Sequence, residues 1–434
     1  MNLNLTVTGT GDALFLAPFP KEYDQKLKQL ADFINACDVK ITNLETNLTD
    51  YQFFASAYSG GTWLNTRTKD LDHLLKFGFN YFGNANNHAF DYSYDGLLST
   101  IDTLDARNLK HSGTGRSLED AQKPAFIQAE NGVMSAIIAV DASFEVASKA
   151  GRATHDIKAR PGVNYLRHES AFKVNEEDLA KLKDIAQKTR INYNHDRLIQ
   201  TGYETADPEG VFVFGKTKFT TNQDEPETKC NKDDLNRIVG TIQEAKQKAD
   251  YVFVVVHCHT NDNVREENPA EYLIEFAHAC IDNGAAAIFG GGCHRLRPVE
   301  LYKNKPIFYS LGDFIYQGLK VEFLPADFME KYGIDIYSTA EEALYARSKG
   351  HTIGLHCNKL NYQTVLPKLV FNNQELIEFS MLPVYLNFHR KDDFNGLPEI
   401  ATGDEAEEIL EILGGLSKPY GLDLILKDGI IIPA

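Results

Sequence analysis

The run Tyr251-Val252-Phe253-Val254-Val255-Val256 is unbroken in β-branched and aromatic residues, so as a strand it presents apolar side chains to both faces. Only a sheet covered on both sides accepts such a strand, which points to α/β packing with helices laid over a largely parallel sheet. Residues 285–289 repeat the pattern. Helices are predicted before each run, over 233–248 and 269–283. The first run ends in His257-Cys258-His259 and the second in Gly290-Gly291-Gly292-Cys293-His294. In an extended chain residues two apart point the same way, so His257 and His259 share a face and Cys258 does not.

The amino-terminal third reads β-α-β-α-β-α. Strands are predicted over 3–7, 39–43 and 79–82, and helices over 22–36, 69–77 and 95–106. The first strand enters Thr8-Gly9-Thr10-Gly11-Asp12, read as a glycine turn that delivers a carboxylate. The second ends in Asn43-Leu44-Glu45 and the third in Asn84-Ala85-Asn86-Asn87-His88-Ala89-Phe90-Asp91. Open α/β sheets place their ligands at such carboxyl strand ends. Further on, 124–130 and 134–141 read as a hairpin turned at Asn131-Gly132. A charged helix is expected over 169–188, while 189–230 shows no clear pattern. Short strands follow at 300–302 and 307–311, longer ones at 364–371 and 376–386, and a helix at 404–413. No linker or repeat divides the chain, so residues 1–434 are expected to form one unit.

Five separate strand ends therefore carry Asp12, Glu45, Asn87 with His88, His257 with His259, and His294. Singly, Asp12 or Glu45 serves as a helix N-cap as readily as a ligand, and a lone His257 or His294 is more often a hydrogen-bonded core histidine. Independent caps would not all need carboxyl strand ends, so the joint pattern points to a divalent metal. Mixed carboxylate, amide and imidazole donors suit Mn, Fe or Zn better than Ca or Mg. One bridging carboxylate with five or six ligands can hold one ion, or two roughly 3.5 to 4 Å apart, the arrangement that activates water for in-line displacement. His88 is then the proton donor to a leaving oxygen, and Asp91 fixes its tautomer.

A net charge of −17 argues against a nucleic-acid partner, so an anionic substrate must be met by a local cation, a metal or arginines. The six cysteines show no paired spacing and are expected to be reduced. No apolar run approaches the ~20 residues of a membrane helix, and the first residues lack a secretory pattern, so a cytoplasmic protein is expected.

Several stretches resemble the CapA family of poly-γ-glutamate capsule biosynthesis proteins. They are Thr8 to Asp12, Asn43-Leu44-Glu45, Ala85 to Asp91, His111-Ser112-Gly113-Thr114-Gly115, Arg160-Pro161-Gly162-Val163-Asn164 and Lys305 to Phe314, with a tail through Leu382-Pro383-Val384-Tyr385-Leu386 and Leu416 to Gly421. The resemblance implies a calcineurin-like metallophosphoesterase fold, a four-layer α-β-β-α sandwich in which residues 317–434 help build the second sheet. It also implies a link to capsule polymer synthesis or export. By the family pattern Asp12, Glu45, Asn87, His257 and His294 are metal-site residues and His88 the proton donor. Arg160, Arg167 and Arg297 lie in family-like stretches and are the anion-binding candidates. Two departures stand out: the family's second histidine before His294 falls in Gly290-Gly291-Gly292, and its Asn in Ser-Leu-Gly-Asn-Phe is Asp313. His259 is the available substitute for the missing imidazole. The leading expectation is a phosphoesterase-type hydrolase acting on an anionic small molecule or polymer. The alternatives are a non-catalytic accessory protein that binds a polyanion or a capsule-synthesis partner, and hydrolysis of γ-glutamyl amides at the same site.

Overall fold

The computed structural model describes residues 4–434. Four parallel strands, β1 (Leu5–Leu14), β2 (Val39–Leu44), β3 (Tyr81–Gly83) and β4 (Lys110–Ser112), lie side by side in that order at one end of a ten-stranded sheet. Leu3, where the first strand was expected to begin, lies outside the described residues. A second, six-stranded sheet contains β5 (Ala125–Gln128), β6 (Met134–Asp141), β7 (Tyr251–Cys258), β8 (Ala287–Gly292), β9 (Val299–Tyr302) and β10 (Lys305–Phe308), in the order β9-β10-β8-β7-β6-β5. Its inner strands are parallel: β6 with β7, β7 with β8, and β8 with β10.

β7 is buried along its whole length, as its unbroken apolar run requires. Phe253 and Val255 join Leu5, Val7, Ile41 and Tyr81 of the ten-stranded sheet in one core, together with Phe289 and Ile137. Val252, Val254 and Val256 face the other way and pack with Ile238 and Ile242 of the helix Lys232–Lys246 and Leu273 and Phe276 of the helix Glu271–Asp282. On the far side of the ten-stranded sheet, Leu27, Leu30 and Ile34 of the helix Asp24–Asn35 recur at three- and four-residue spacing and are buried with Phe82 and Phe314.

The glycines of the first strand do not make a turn. β1 continues through them to Leu14, with a register shift between Gly9 and Asp12. Their small size serves close approach: a Cβ at Gly11 would stand 1.8 Å from the carbonyl oxygen of Gly312. Along this edge β11 (Asp313–Tyr316) pairs with β1 and sets Asp313 opposite Asp12.

The carboxyl-terminal third departs from expectation. β12 (Gln363–Asn372) pairs antiparallel with β1, and β13 (Glu375–Tyr385), β14 (Leu424–Lys427) and β15 (Ile430–Pro433) extend the same sheet. They lengthen the sheet that holds β1 rather than building the second one, because β2 covers only one edge of β1. The stretch 169–188 divides into the short strands His168–Ser170 and Phe172–Lys173 and a helix, Glu176–Thr189, which starts where Asn175 caps the Asp178 amide. Between β11 and β12 come two unexpected helices, Ala326–Tyr332 and Ala340–Arg347, the latter begun by a capping box of Thr339 and Glu342. All six cysteines are free, and no helix of the described residues is long and apolar enough to cross a membrane.

Candidate metal centre

The strand ends converge. Glu45 follows β2 immediately and is fully buried, and neither of its carboxylate oxygens has a hydrogen-bond partner among the described residues. His257, near the end of β7, brings Nε2 to 3.5 Å from Glu45 Oε1, 2.7 Å from Asn87 Oδ1 and 3.2 Å from His259 Nε2. Ligand atoms of Glu45, His257 and His259 all lie within 4.8 Å of one another. A second triad, Glu45 with His294 and Asp313, meets the same limit, so Glu45 is common to both. Neither Asp12 nor Glu45 caps a helix.

Neighbouring groups fix each donor. Asn87 donates through Nδ2 to the Gly60 carbonyl at 3.0 Å, which turns its Oδ1 toward His257. Asp12 Oδ1 accepts from Asn43 Nδ2 at 2.6 Å and lies 3.4 Å from His257 Nδ1, while Oδ2 accepts from the Gly292 amide at 2.5 Å. A carboxylate on the far nitrogen of an imidazole leaves the near one free as a donor and holds the ring's orientation. His294, in the left-handed region at φ 59°, sets Nδ1 3.0 Å from Asp313 Oδ1. His88 Nδ1 is 2.6 Å from Asp91 Oδ2, and its Nε2 faces Glu45 Oε1 at 4.0 Å. Asp91 is itself pinned by the Gly60 and Leu64 amides.

The electrostatics are those of crowded charge in a dry place. Burial, reinforced by Asp12, Asp313, Asp91 and Asp141, pushes the Glu45 carboxyl well above the usual carboxylate range. Burial likewise raises Asp313 and Asp141 to about 6, against the opposing pull of His294 and His257 respectively. His259 is held well below the usual imidazole range by burial and by His257, His294 and His88. Burial alone would disfavour a charged His294, but Asp313 and Asp12 more than offset it and raise its pKa. Lone-pair donors that resist each other's charge in this way are relieved by a shared cation.

The glycine run before His294 leaves little room for a side chain. Gly292 sits at φ 107°, and a Cβ there would meet the backbone nitrogen of Cys258 at 2.6 Å. No side chain fits on this backbone, and His259 stands with Glu45 and His257 in the cluster. Asp313, which the sequence marks only as a departure, and Asn43 and Asp141, which it does not mark, all belong to the site. The signal for Asp313 was its approach to β1, a long-range pairing that local pattern does not carry.

The three arginines expected to receive an anion have other partners. Arg297 is 0% exposed and donates to the backbone carbonyls of Cys258, His259 and Glu266, which braces the His257–His259 segment from behind. Arg167 pairs with Asp234 at 2.7 Å, and Arg160 is exposed and donates to the Lys149 carbonyl. Burial occupies Arg297 and an ion pair occupies Arg167.

The chain is similar to known proteins over much of its length. The uncharacterized protein y4sH of Sinorhizobium fredii (strain NBRC 101917 / NGR234) is 30% identical over 436 residues, covering 98% of this chain and 92% of that protein. The PGA biosynthesis protein CapA of Bacillus subtilis (strain 168) is 27% identical over 296 residues, covering 68% of this chain and 58% of its own length. A probable polyglutamine synthesis accessory protein of Mycobacterium tuberculosis (strain ATCC 25618 / H37Rv) is 24% identical over 288 residues, 65% of this chain and 57% of that one. Residues 6–318, which hold every member of the cluster, match the bacterial capsule synthesis protein family PGA_cap, and the chain belongs to that family.

Proposed function

We propose that this chain is a metal-dependent hydrolase of phosphoesterase type that acts on an anionic small molecule or polymer in capsule poly-glutamate metabolism. The observation that carries the reading is Glu45: a buried carboxylate with no partner on either oxygen, set between two donor triads. An uncompensated buried carboxylate is costly, and a divalent cation is the simplest charge that satisfies both oxygens. The donors present fit such an ion. Asn87, His257 and His259 with Glu45 form one subsite, and His294 and Asp313 with Glu45 form the other. Imidazole and carboxylate together favour Mn, Fe or Zn. Divalent ions held there would supply Lewis acidity at a phosphoryl oxygen and lower the pKa of water.

The chain's own residues do the rest. His88, with Nδ1 held by Asp91, presents Nε2 to the cluster as the proton donor for a leaving oxygen. Asp12 orients His257, and Arg297 keeps the carbonyls of the His257–His259 segment in place. Two sheets sharing one core, each with a further core on its outer face, support a four-layer sandwich of metallophosphoesterase type. The pairing of β12 with β1 supports a single unit over the whole chain.

Metal analysis of the purified chain, with a chromogenic phosphate ester assayed in added Mn2+, tests the proposal. Bound metal and turnover that disappears in His88→Ala support it. Tight binding of poly-γ-glutamate with neither metal nor turnover replaces it with the accessory reading. Release of glutamate from that polymer moves the same site to amide hydrolysis.

A further inference from the structure

The cluster carries buried Asp12, Glu45, Asp91, Asp141 and Asp313, and an incoming anion needs a cation beyond any bound metal. Arg347 is the arginine placed to serve. It ends the helix Ala340–Arg347, is partly buried, and has no carboxylate partner among the described residues. Its Nη1 donates to Thr62 Oγ1 at 3.0 Å, and its guanidinium lies over Phe328 at 6.0 Å from the ring centroid. A helix dipole explains a basic residue in a last turn, but not a tether to a loop nearly three hundred positions away.

That loop borders the cluster. Two residues before Thr62, Gly60 accepts from Asn87 Nδ2 and donates to Asp91 Oδ1, each at 3.0 Å. At a second border, the ring of Tyr316 stands 6.4 Å from that of His294, and the Arg347 charge acts on the Tyr316 phenol. Asn87, His88 and His294 are 7, 4 and 7% exposed, so the cluster keeps a narrow access to solvent. Arg347 spans the two borders.

We infer that Arg347 is a substrate-binding residue that receives an oxyanion of the substrate at the mouth of the centre. The inference rests on the hydrolase reading and deepens it. A planar guanidinium offers two parallel N–H groups to a phosphate or carboxylate, and neither Thr62 nor Phe328 consumes that fork. The helix pair that carries Arg347 lies beyond residue 318, outside the span of the family match.

Calorimetric titration of the full chain, loaded with Mn2+, tests this with inorganic phosphate and L-glutamate as probes. Arg347→Gln should weaken the preferred probe about 10- to 100-fold, the range for losing a charge-assisted pair, with Mn2+ affinity and melting temperature unchanged. Arg347→Lys should restore part of the loss. The probe with the larger loss identifies the group as phosphate or carboxylate. In turnover the loss should fall on KM more than on kcat. Affinities for both probes within about twofold of wild type in Arg347→Gln overturn the inference, as does wild-type protein that binds neither. If wild-type protein takes up no Mn2+, the hydrolase reading fails. The comparison on metal-free protein then still decides Arg347.

Discussion

Replacing Glu45 with Gln should change the sign of its effect on stability when metal is added. In the metal-free protein the carboxylate is fully buried, its oxygens are unpartnered, and four other carboxylates oppose its charge. A buried, unsatisfied polar group costs about 1–3 kcal/mol, and more when it is charged. With its pKa raised in this way, Glu45 costs the metal-free fold stability at neutral pH, either as an unpaired charge or as a proton the unfolded chain would release; Glu45→Gln removes that cost and keeps the volume, so the metal-free variant should gain about 2 kcal/mol. With about 2.1 cal/mol/K of unfolding entropy per residue, 434 residues give about 0.9 kcal/mol/K, so the gain is a rise of roughly 2 °C. With Mn2+ at a hundredfold excess over its Kd, wild type gains about 2.7 kcal/mol, or roughly 3 °C. The variant lacks the anion common to both triads and should gain little. Calorimetric melting of both proteins, with chelator and with Mn2+, should therefore show the curves exchanging order. A variant that melts several degrees below wild type in chelator and shifts equally with Mn2+ would refute the argument, because Glu45 would then be an ordinary paired core residue.

Other perturbations follow from the same geometry. Gly292→His, which puts an imidazole into the glycine run before His294, should cost about 2–4 kcal/mol and give no gain in Mn2+ affinity, since the φ of 107° and the 2.6 Å approach to Cys258 leave a side chain no room; melting and metal titration check this. Asp91→Asn replaces the carboxylate that holds His88 Nδ1 with a neutral amide and should lower kcat about 10²- to 10⁴-fold with metal binding retained, as steady-state kinetics on a phosphate ester would show. Burial raises Asp141 from 3.8 to about 6, so between these values the folded metal-free chain holds a proton that the unfolded chain has lost, and stability falls as pH rises. Asp141→Asn removes that dependence. Its advantage over wild type should grow from near zero at pH 4 to about 3 kcal/mol above pH 6, and a pH-independent difference in melting temperature would count against it.

The sequence alone determined the features that have a local period. The apolar run of β7 required cover on both faces and received it, because a strand's two faces are legible in its own residues. Carboxyl strand ends marked Glu45, Asn87, His88, His257, His259 and His294, because a strand followed by a polar turn is a local pattern. The capping box of Thr339 and Glu342 was also present in the sequence, and it would have located the helix that carries Arg347. Tertiary structure decided what depends on distant approach. It set Asp313 beside Asp12 through β11, turned two glycines of an apparent loop into contact points within β1, and closed position 292 to any side chain. It also assigned the arginines. A guanidinium is drawn to whichever carboxylate or carbonyl the fold brings within reach, so Arg297 and Arg167 hold the protein together and Arg347 is left with an open fork.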